Sequence, residues 1–191
     1  VCLSQLFDAS MHEKCRPLCV GVSVPGKISE DGYVWAPNIP GWDHYPLESD
    51  LMQVVEAYSC PLVISDDREC YIRGEYWKGC AQGAKDAVFV AFGTGIGVGI
   101  LMNGQYLRGA GGLAGAGGWM ALQSPYEEKY RGVGCWEYYA SGNGIARFAL
   151  EMIARNRDHC STLNQVPREK LSARDVLTAW DEGDPLAWEI M

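Results

Sequence analysis

Two aspartates and a glycine turn are the residues of this chain best suited to chemistry on a phosphate. Ser65-Asp66-Asp67 closes a short apolar run, and the later strand-turn-strand unit Ala87 to Leu107 carries Gly93-Thr94-Gly95-Ile96-Gly97. Asp67 follows a buried-looking strand and opens a helix, so its carboxylate projects beyond the strand's carboxyl end, where ligands of α/β proteins sit. A carboxylate there can take the proton of an attacking hydroxyl during phosphoryl transfer. Aspartate at a helix start is equally a favoured cap and dipole partner, so both readings stay open. Asp66 and Glu69 crowd the same turn, either assisting a metal ion or adding capping charge. In Gly93, Thr94 and Gly95 the missing bulk lets backbone N–H groups approach an anion, and the Thr hydroxyl adds a donor. Two familiar loops are excluded: Val98 stands where a dinucleotide fingerprint needs its last glycine, and no Gly-Lys-Ser/Thr follows as a Walker A loop requires. The turn either cradles phosphate or simply reverses the chain.

Two further side chains suit a polyhydroxyl ligand. Asn38 lies on the stiffened segment Ala36-Pro37-Asn38-Ile39-Pro40-Gly41-Trp42, where an amide beside an aromatic fits a sugar hydroxyl and ring face. An Asx turn before Pro40 explains it as well. Glu137, in Cys135-Trp136-Glu137-Tyr138-Tyr139, can accept two hydroxyl bonds or serve as an early-helix charge.

The elements that must position these groups alternate through the first half, which argues for α/β layering. A helix is expected from Val1 to about Arg16, a strand over Leu18 to Val24 ended by Pro25-Gly26, and a turn at Asp31-Gly32. Helices over about Leu47–Tyr58 and Asp67–Lys78 flank a strand at Pro61–Ser65. Asn103-Gly104 predicts a type I′ hairpin turn, because both residues accept positive φ. Arg108 to Trp119 is too glycine-dense for regular structure. Helices follow at roughly Trp136–Arg155, at Ser172–Glu182 with Ser172 as N-cap, and after Asp184-Pro185. Both ends fall inside apparent helices, as in a piece of a longer protein.

With 191 residues, 48% hydrophobic and 21% charged, the chain is an ordinary globular one holding one core or two small lobes. A net charge of −8, from 24 acidic against 16 basic residues, offers no general attraction to nucleic acid. No stretch approaches the roughly 18 apolar residues of a membrane span, and the first residues lack a signal peptide's apolar core, so a cytoplasmic protein is expected. The eight cysteines contain no C-x-x-C pair, and only His12, His44 and His159 offer imidazole. Buried, reduced thiols are expected, with Cys19 inside the strand pattern as the example.

Read in order, these pieces resemble the ROK family of bacterial sugar kinases and sugar-responsive repressors. Val20 to Gly26 is similar to the family's strand and Pro-Gly turn, and Ala36 to Trp42 to its sugar-side segment. Ser65-Asp66-Asp67-Arg68-Glu69 with Gly74-Glu75 resembles the stretch around its catalytic aspartate. Phe92 to Gly99 with Arg108-Gly109 resembles the signature and second phosphate loop, and Gly134-Cys135-Trp136-Glu137 with Ala140-Ser141-Gly142 the segment whose Glu binds sugar.

The resemblance implies an α/β, actin-like ATPase (ribonuclease H-like) fold, here an incomplete central portion spanning parts of two lobes. Residues 1–85 would be the remainder of a small lobe with the catalytic Asp, and 86–191 a large lobe with the glycine hairpin and helices. It implies transfer of the ATP γ-phosphoryl to a hexose hydroxyl with magnesium. Asp67 would be the base, Gly93, Thr94 and Gly95 the phosphate grip, and Gly26, Asn38, Asp66, Trp119 and Glu137 the sugar side. A small-molecule sugar is the expected partner and a homodimer the expected assembly. Where the family has Glu-x-Gly-His, this chain reads Ala116-Gly117-Gly118-Trp119, and of the zinc cysteines it keeps Cys135 alone, so no structural zinc is expected. Trp119 either stacks on a sugar face or fills the pocket. The family's opening Asp-x-Gly-Gly-Thr hairpin and closing adenosine-binding Gly-Gly segment are not in these residues. The rival class is a sugar-binding regulator or scaffold that moves no phosphate.

Overall fold

The computed structural model describes residues 3–13, 17–37, 39–155 and 160–191. The chain divides into two compact units, Val1–Phe89 with Gly99–Gly115, and Val90–Val98 with Ala116–Met191.

In the first unit, helix α1 (Leu3–His12) buries Phe7, whose ring stacks on Tyr58 at 4.1 Å between centroids. Residues 1–2 and 14–16 of the expected helix lie outside the described ones. Strand β1 (Val20–Val24) is shorter than the expected 18–24, for want of a partner. Its parallel ladder with β4 runs from Val20 opposite Leu62 to Val24 opposite Asp66, and Val20 donates to the Pro61 carbonyl. Leu18 and Cys19 lie beyond that last bond and are exposed, which corrects the expectation that Cys19 is buried. Among the described cysteines Cys60 and Cys135 are the buried ones.

A small antiparallel pair, β2 (Lys27–Ile28) and β3 (Val34–Trp35), turns at Asp31-Gly32 with Gly32 at φ +80°. Helix α2 (Leu47–Val55) ends earlier than the expected Tyr58, because its last turn tightens into a 3₁₀ turn at Glu56–Tyr58 and Ser59 turns left-handed. It leads into β4 (Leu62–Asp66), one residue later at each end than the expected Pro61–Ser65, and into α3 (Asp67–Lys78), whose bounds match the reading from sequence. Val24, Val34, Ala36 and Leu47 form one core cluster; Phe7, Val55 and Cys60 form another.

Strands β5 (Ala87–Phe92), β6 (Ile96–Met102) and β7 (Gln105–Tyr106) lie side by side in that order. The β6–β7 reversal has Asn103 at φ +51° and Gly104 at +74°, the two positive angles expected for the turn.

The second unit is helical. The single helix expected over 136–155 is two: α4 (Cys135–Ala140) and α5 (Gly142–Arg155), separated at Ser141 with ψ +165°. The buried Ser141 hydroxyl accepts from the Gly144 N–H at 3.0 Å, and a side chain at Gly144 would strike the carbonyls of Glu137 and Tyr138 at 2.6 Å. Serine capping plus a close-packed glycine therefore restarts the helix at a new angle. Helix α6 (Ala173–Asp181) opens at Ser172, whose N–H and hydroxyl both donate to Asp175. Helix α7 (Pro185–Ile190) opens on the buried Asp184, which accepts from Leu186 and Ala187 N–H and from Ser161 and Thr162. Ala149, Ile153, Leu163, Leu171, Val176, Ala179, Leu186 and Ala187 close the core over these helices. Before α4, the fully buried Tyr130 donates to Glu127 at 2.9 Å and meets the Tyr139 hydroxyl at 2.9 Å.

Candidate active site

Asp66 and Asp67 divide the work at the end of β4. Asp66 has extended backbone geometry, φ −69° and ψ +153°, and its carboxylate accepts from the Glu69 N–H at 3.0 Å. It is the helix cap, and Arg68 Nε donates to the same oxygen at 3.1 Å. The capping explanation considered for Asp67 thus belongs to its neighbour. Asp67 is half-buried; burial pushes its carboxyl above the usual aspartate range, against the opposing pull of the Arg68 guanidinium and nearby N–H groups.

Arg68 also reaches the Gly26 carbonyl at 3.2 Å and the Gly112 carbonyl at 3.3 Å. One guanidinium therefore ties the Pro-Gly turn and the second glycine loop to the start of α3. Gly26 has φ +101°, and a side chain there would lie 2.2 Å from the Trp35 carbonyl oxygen, so the position admits glycine alone. Asn38 lies outside the described residues.

Glu69, expected either to assist a metal ion or to add capping charge, is a buried junction. Its Oε1 accepts from Arg73 Nε at 2.7 Å and its Oε2 from Arg108 Nε at 2.5 Å. Arg73 was legible as an i,i+4 partner; Arg108 was not, since it comes from the later glycine loop. Burial alone would push the Glu69 carboxyl up, but the hydrogen bonds from Arg108 and Arg73 outweigh it and hold it below the usual range. Because the folded value is lowered, this stabilisation is present above the ordinary glutamate value and is lost as pH falls through the folded one. Both arginines are more than half exposed, so their release costs little in itself. Glu69→Gln is expected to lower unfolding free energy by about 1–3 kcal/mol at neutral pH, measured as the urea midpoint, and to flatten its acid-side decline.

In the second unit, Gly93 and Thr94 are exposed and Gly95 is half-buried, as a turn open to an anion requires. The turn closes on itself, Gly93 N–H donating to the Gly95 carbonyl at 2.9 Å. The helix break at Ser141 directs the Gly142 N–H onto the Gly93 carbonyl at 2.8 Å, and Glu137 Oε2 accepts from the Ile96 N–H at 2.8 Å. Trp119 ends the 3₁₀ turn Gly117–Trp119 and is 41% exposed. Gly134, at φ +83°, packs beneath it: a side chain there would meet the Gly118 carbonyl oxygen at 2.4 Å and Trp119 Cα at 2.5 Å. The structure thus groups Gly26, Asp66 and Asp67 in one unit, and Gly93, Thr94, Gly95, Trp119 and Glu137 in the other. Among the described residues no cluster of three or more His, Cys, Asp or Glu could hold a metal ion, and no helix is long and apolar enough to cross a membrane.

A helix-capping aspartate with its neighbour ends a parallel strand in one unit, and a glycine hairpin held by a following helix pair lies in the other, within a mixed α/β protein. The chain belongs to the ROK family, matching it over residues 3–191, and its fold is the actin-like ATPase fold of ROK sugar kinases. It is 34% identical over 188 residues to a glucokinase of Halalkalibacterium halodurans, covering 95% of this chain and 56% of that protein. It is 32% identical over 130 residues to a xylose repressor of Bacillus subtilis, covering 67% of this chain and 33% of the repressor. A ROK family glucokinase from Streptomyces griseus, solved with glucose and AMPPNP, superposes with a TM-score of 0.72 at 26% identity, covering 98% of this chain and 62% of that one. The chain spans just over half the length of two glucokinase relatives, 56% and 53%.

Proposed function

We propose that this protein is a ROK-type sugar kinase that transfers the γ-phosphoryl of ATP to a hydroxyl of a hexose or related sugar. Asp67 takes the hydroxyl proton as the sugar oxygen forms its bond to the γ-phosphorus; the bond from that phosphorus to the bridging oxygen breaks, and ADP leaves. Magnesium enters as part of the nucleotide substrate. Backbone N–H groups of Thr94 and Gly95, with the Thr94 hydroxyl, hold phosphate oxygens, while Gly93 closes the turn through its bond to the Gly95 carbonyl. Gly26, Asn38, Asp66 and Trp119 shape the sugar side: Gly26 through its clash-free turn, Asp66 by fixing the start of α3, and Trp119 by offering an aromatic face. Glu137 is assigned there by resemblance, and its contact with the turn extends its role.

The observation that carries this reading is the separation of roles at the end of β4. Asp66 caps the helix, which leaves Asp67 as a half-buried carboxylate outside the capping role, its pKa raised by burial, the direction in which a general base is tuned. A second reading, a sugar-binding regulator that moves no phosphate, is favoured by the likeness to the Bacillus subtilis xylose repressor and by Ala116 and Trp119 standing in the Glu-x-Gly-His segment. Calorimetry with a panel of hexoses, paired with a coupled assay of ADP release by the full-length protein, separates the two. Sugar-dependent ADP release supports the kinase; heat of sugar binding without ADP release supports the regulator.

A further inference from the structure

Glu137 sits in a slot whose walls are glycines. A side chain on Gly95 would come within 2.9 Å of its Oε2, and one on Gly118 within 2.6 Å. Into that space the carboxylate delivers one charge-assisted bond, to the Ile96 N–H at 2.8 Å, where the glycine turn enters β6. The opposite end of the turn, the Gly93 carbonyl, is held at 2.8 Å by the Gly142 N–H. Both pins come from the α4–α5 pair, on either side of the break at Ser141. A glycine turn has wide conformational freedom, and amides that are to meet an anion must be fixed beforehand if their alignment is not to be paid for on binding.

We propose that Glu137 is the positioning residue of the phosphate turn: its carboxylate locks the Ile96 end, so that the Thr94 and Gly95 amides hold one orientation. This function is separate from, and compatible with, a contact from its other oxygen to a sugar hydroxyl. The proposal rests on the kinase reading only for its nucleotide readout; the order of the turn can be measured without it.

The test compares Glu137→Ala and Glu137→Gln in the full-length protein by two measurements. The first is amide hydrogen exchange at Ile96; the second is the Kd of the magnesium complex of AMPPNP. Glu137→Ala removes a charge-assisted bond and is expected to speed exchange at Ile96 and weaken the nucleotide about 10–100-fold. Glu137→Gln keeps an acceptor oxygen at the same place and is expected to stay within about fivefold of the parent on both. Rescue by glutamine separates a positioning role from a loss of charge or of fold. The proposal is overturned if the Ala variant leaves Ile96 protection unchanged, or if it weakens glucose while the AMPPNP Kd stays the same. Should the parent protein turn over no sugar, the kinase reading fails, yet Ile96 exchange still decides whether Glu137 orders the turn.

Discussion

Asp67→Asn is expected to lower sugar-dependent turnover by about 10²–10⁴-fold, the usual contribution of a general base, while leaving the protein at least as stable as the parent. The second half of that expectation follows from the sign of the pKa shift. Burial raises the Asp67 carboxyl above its ordinary value in the folded state, so its contribution to stability is full below the ordinary aspartate value and is lost as pH rises through the folded one. Ionising the carboxylate therefore costs the fold stability, and the neutral amide removes that cost. A melting temperature equal to or above that of the parent, together with a collapsed kcat, separates loss of chemistry from loss of structure. A large fall in melting temperature would mean that the carboxylate holds the fold, and the base assignment would then lack its physical ground.

Gly26→Ala is expected to act in the opposite way, through the backbone. At φ +101° an L side chain is strained, and the added carbon would lie 2.2 Å from the Trp35 carbonyl oxygen and 2.9 Å from Ala36 Cα. Backbone atoms cannot swing aside as a flexible side chain does, so the β2–β3 hairpin must move, at a cost of about 3 kcal/mol or more. Because Arg68 donates to the Gly26 carbonyl, the displacement reaches the start of α3. The urea midpoint and the sugar Kd should fall and rise together. Gly83 provides the control: it also has positive φ, at +74°, but nothing lies within 4 Å of an added carbon. Gly83→Ala should show the φ penalty alone, about 1–2 kcal/mol, without an effect on sugar affinity.

Local signals carried the parts of this fold that depend on neighbours in sequence. The bounds of α3 follow from an apolar run ending in two aspartates, and the β6–β7 reversal from the Asn103-Gly104 pair. Which of two adjacent aspartates caps the helix depends on a single ψ angle at residue 66, and composition cannot reveal it. At Ser141 a local signal was present, since Ser141-Gly142-Asn143-Gly144 are cap and turn residues, but what the break does depends on Gly142 meeting Gly93, far away in the chain. The same distance hid the pairing of Glu69 with Arg108 and of Glu137 with Ile96. The late start of β1 was set by its partner β4, which gives Leu18 and Cys19 nothing to pair with. Family resemblance nominated candidate residues in advance, whereas the cap emerged from the local bond of Asp66 to the Glu69 N–H, and the turn-holding carboxylate from a bond between distant segments.

Phosphorus NMR of the full-length protein with magnesium-ATP and a panel of hexoses tests the central claim most directly, because it observes the transferred group itself. The account predicts a sugar-phosphate resonance growing with ADP for at least one hexose, and its disappearance in Asp67→Asn. ATP left intact beside every sugar that calorimetry finds bound, or a sugar phosphate formed as fast by Asp67→Asn as by the parent, would contradict it.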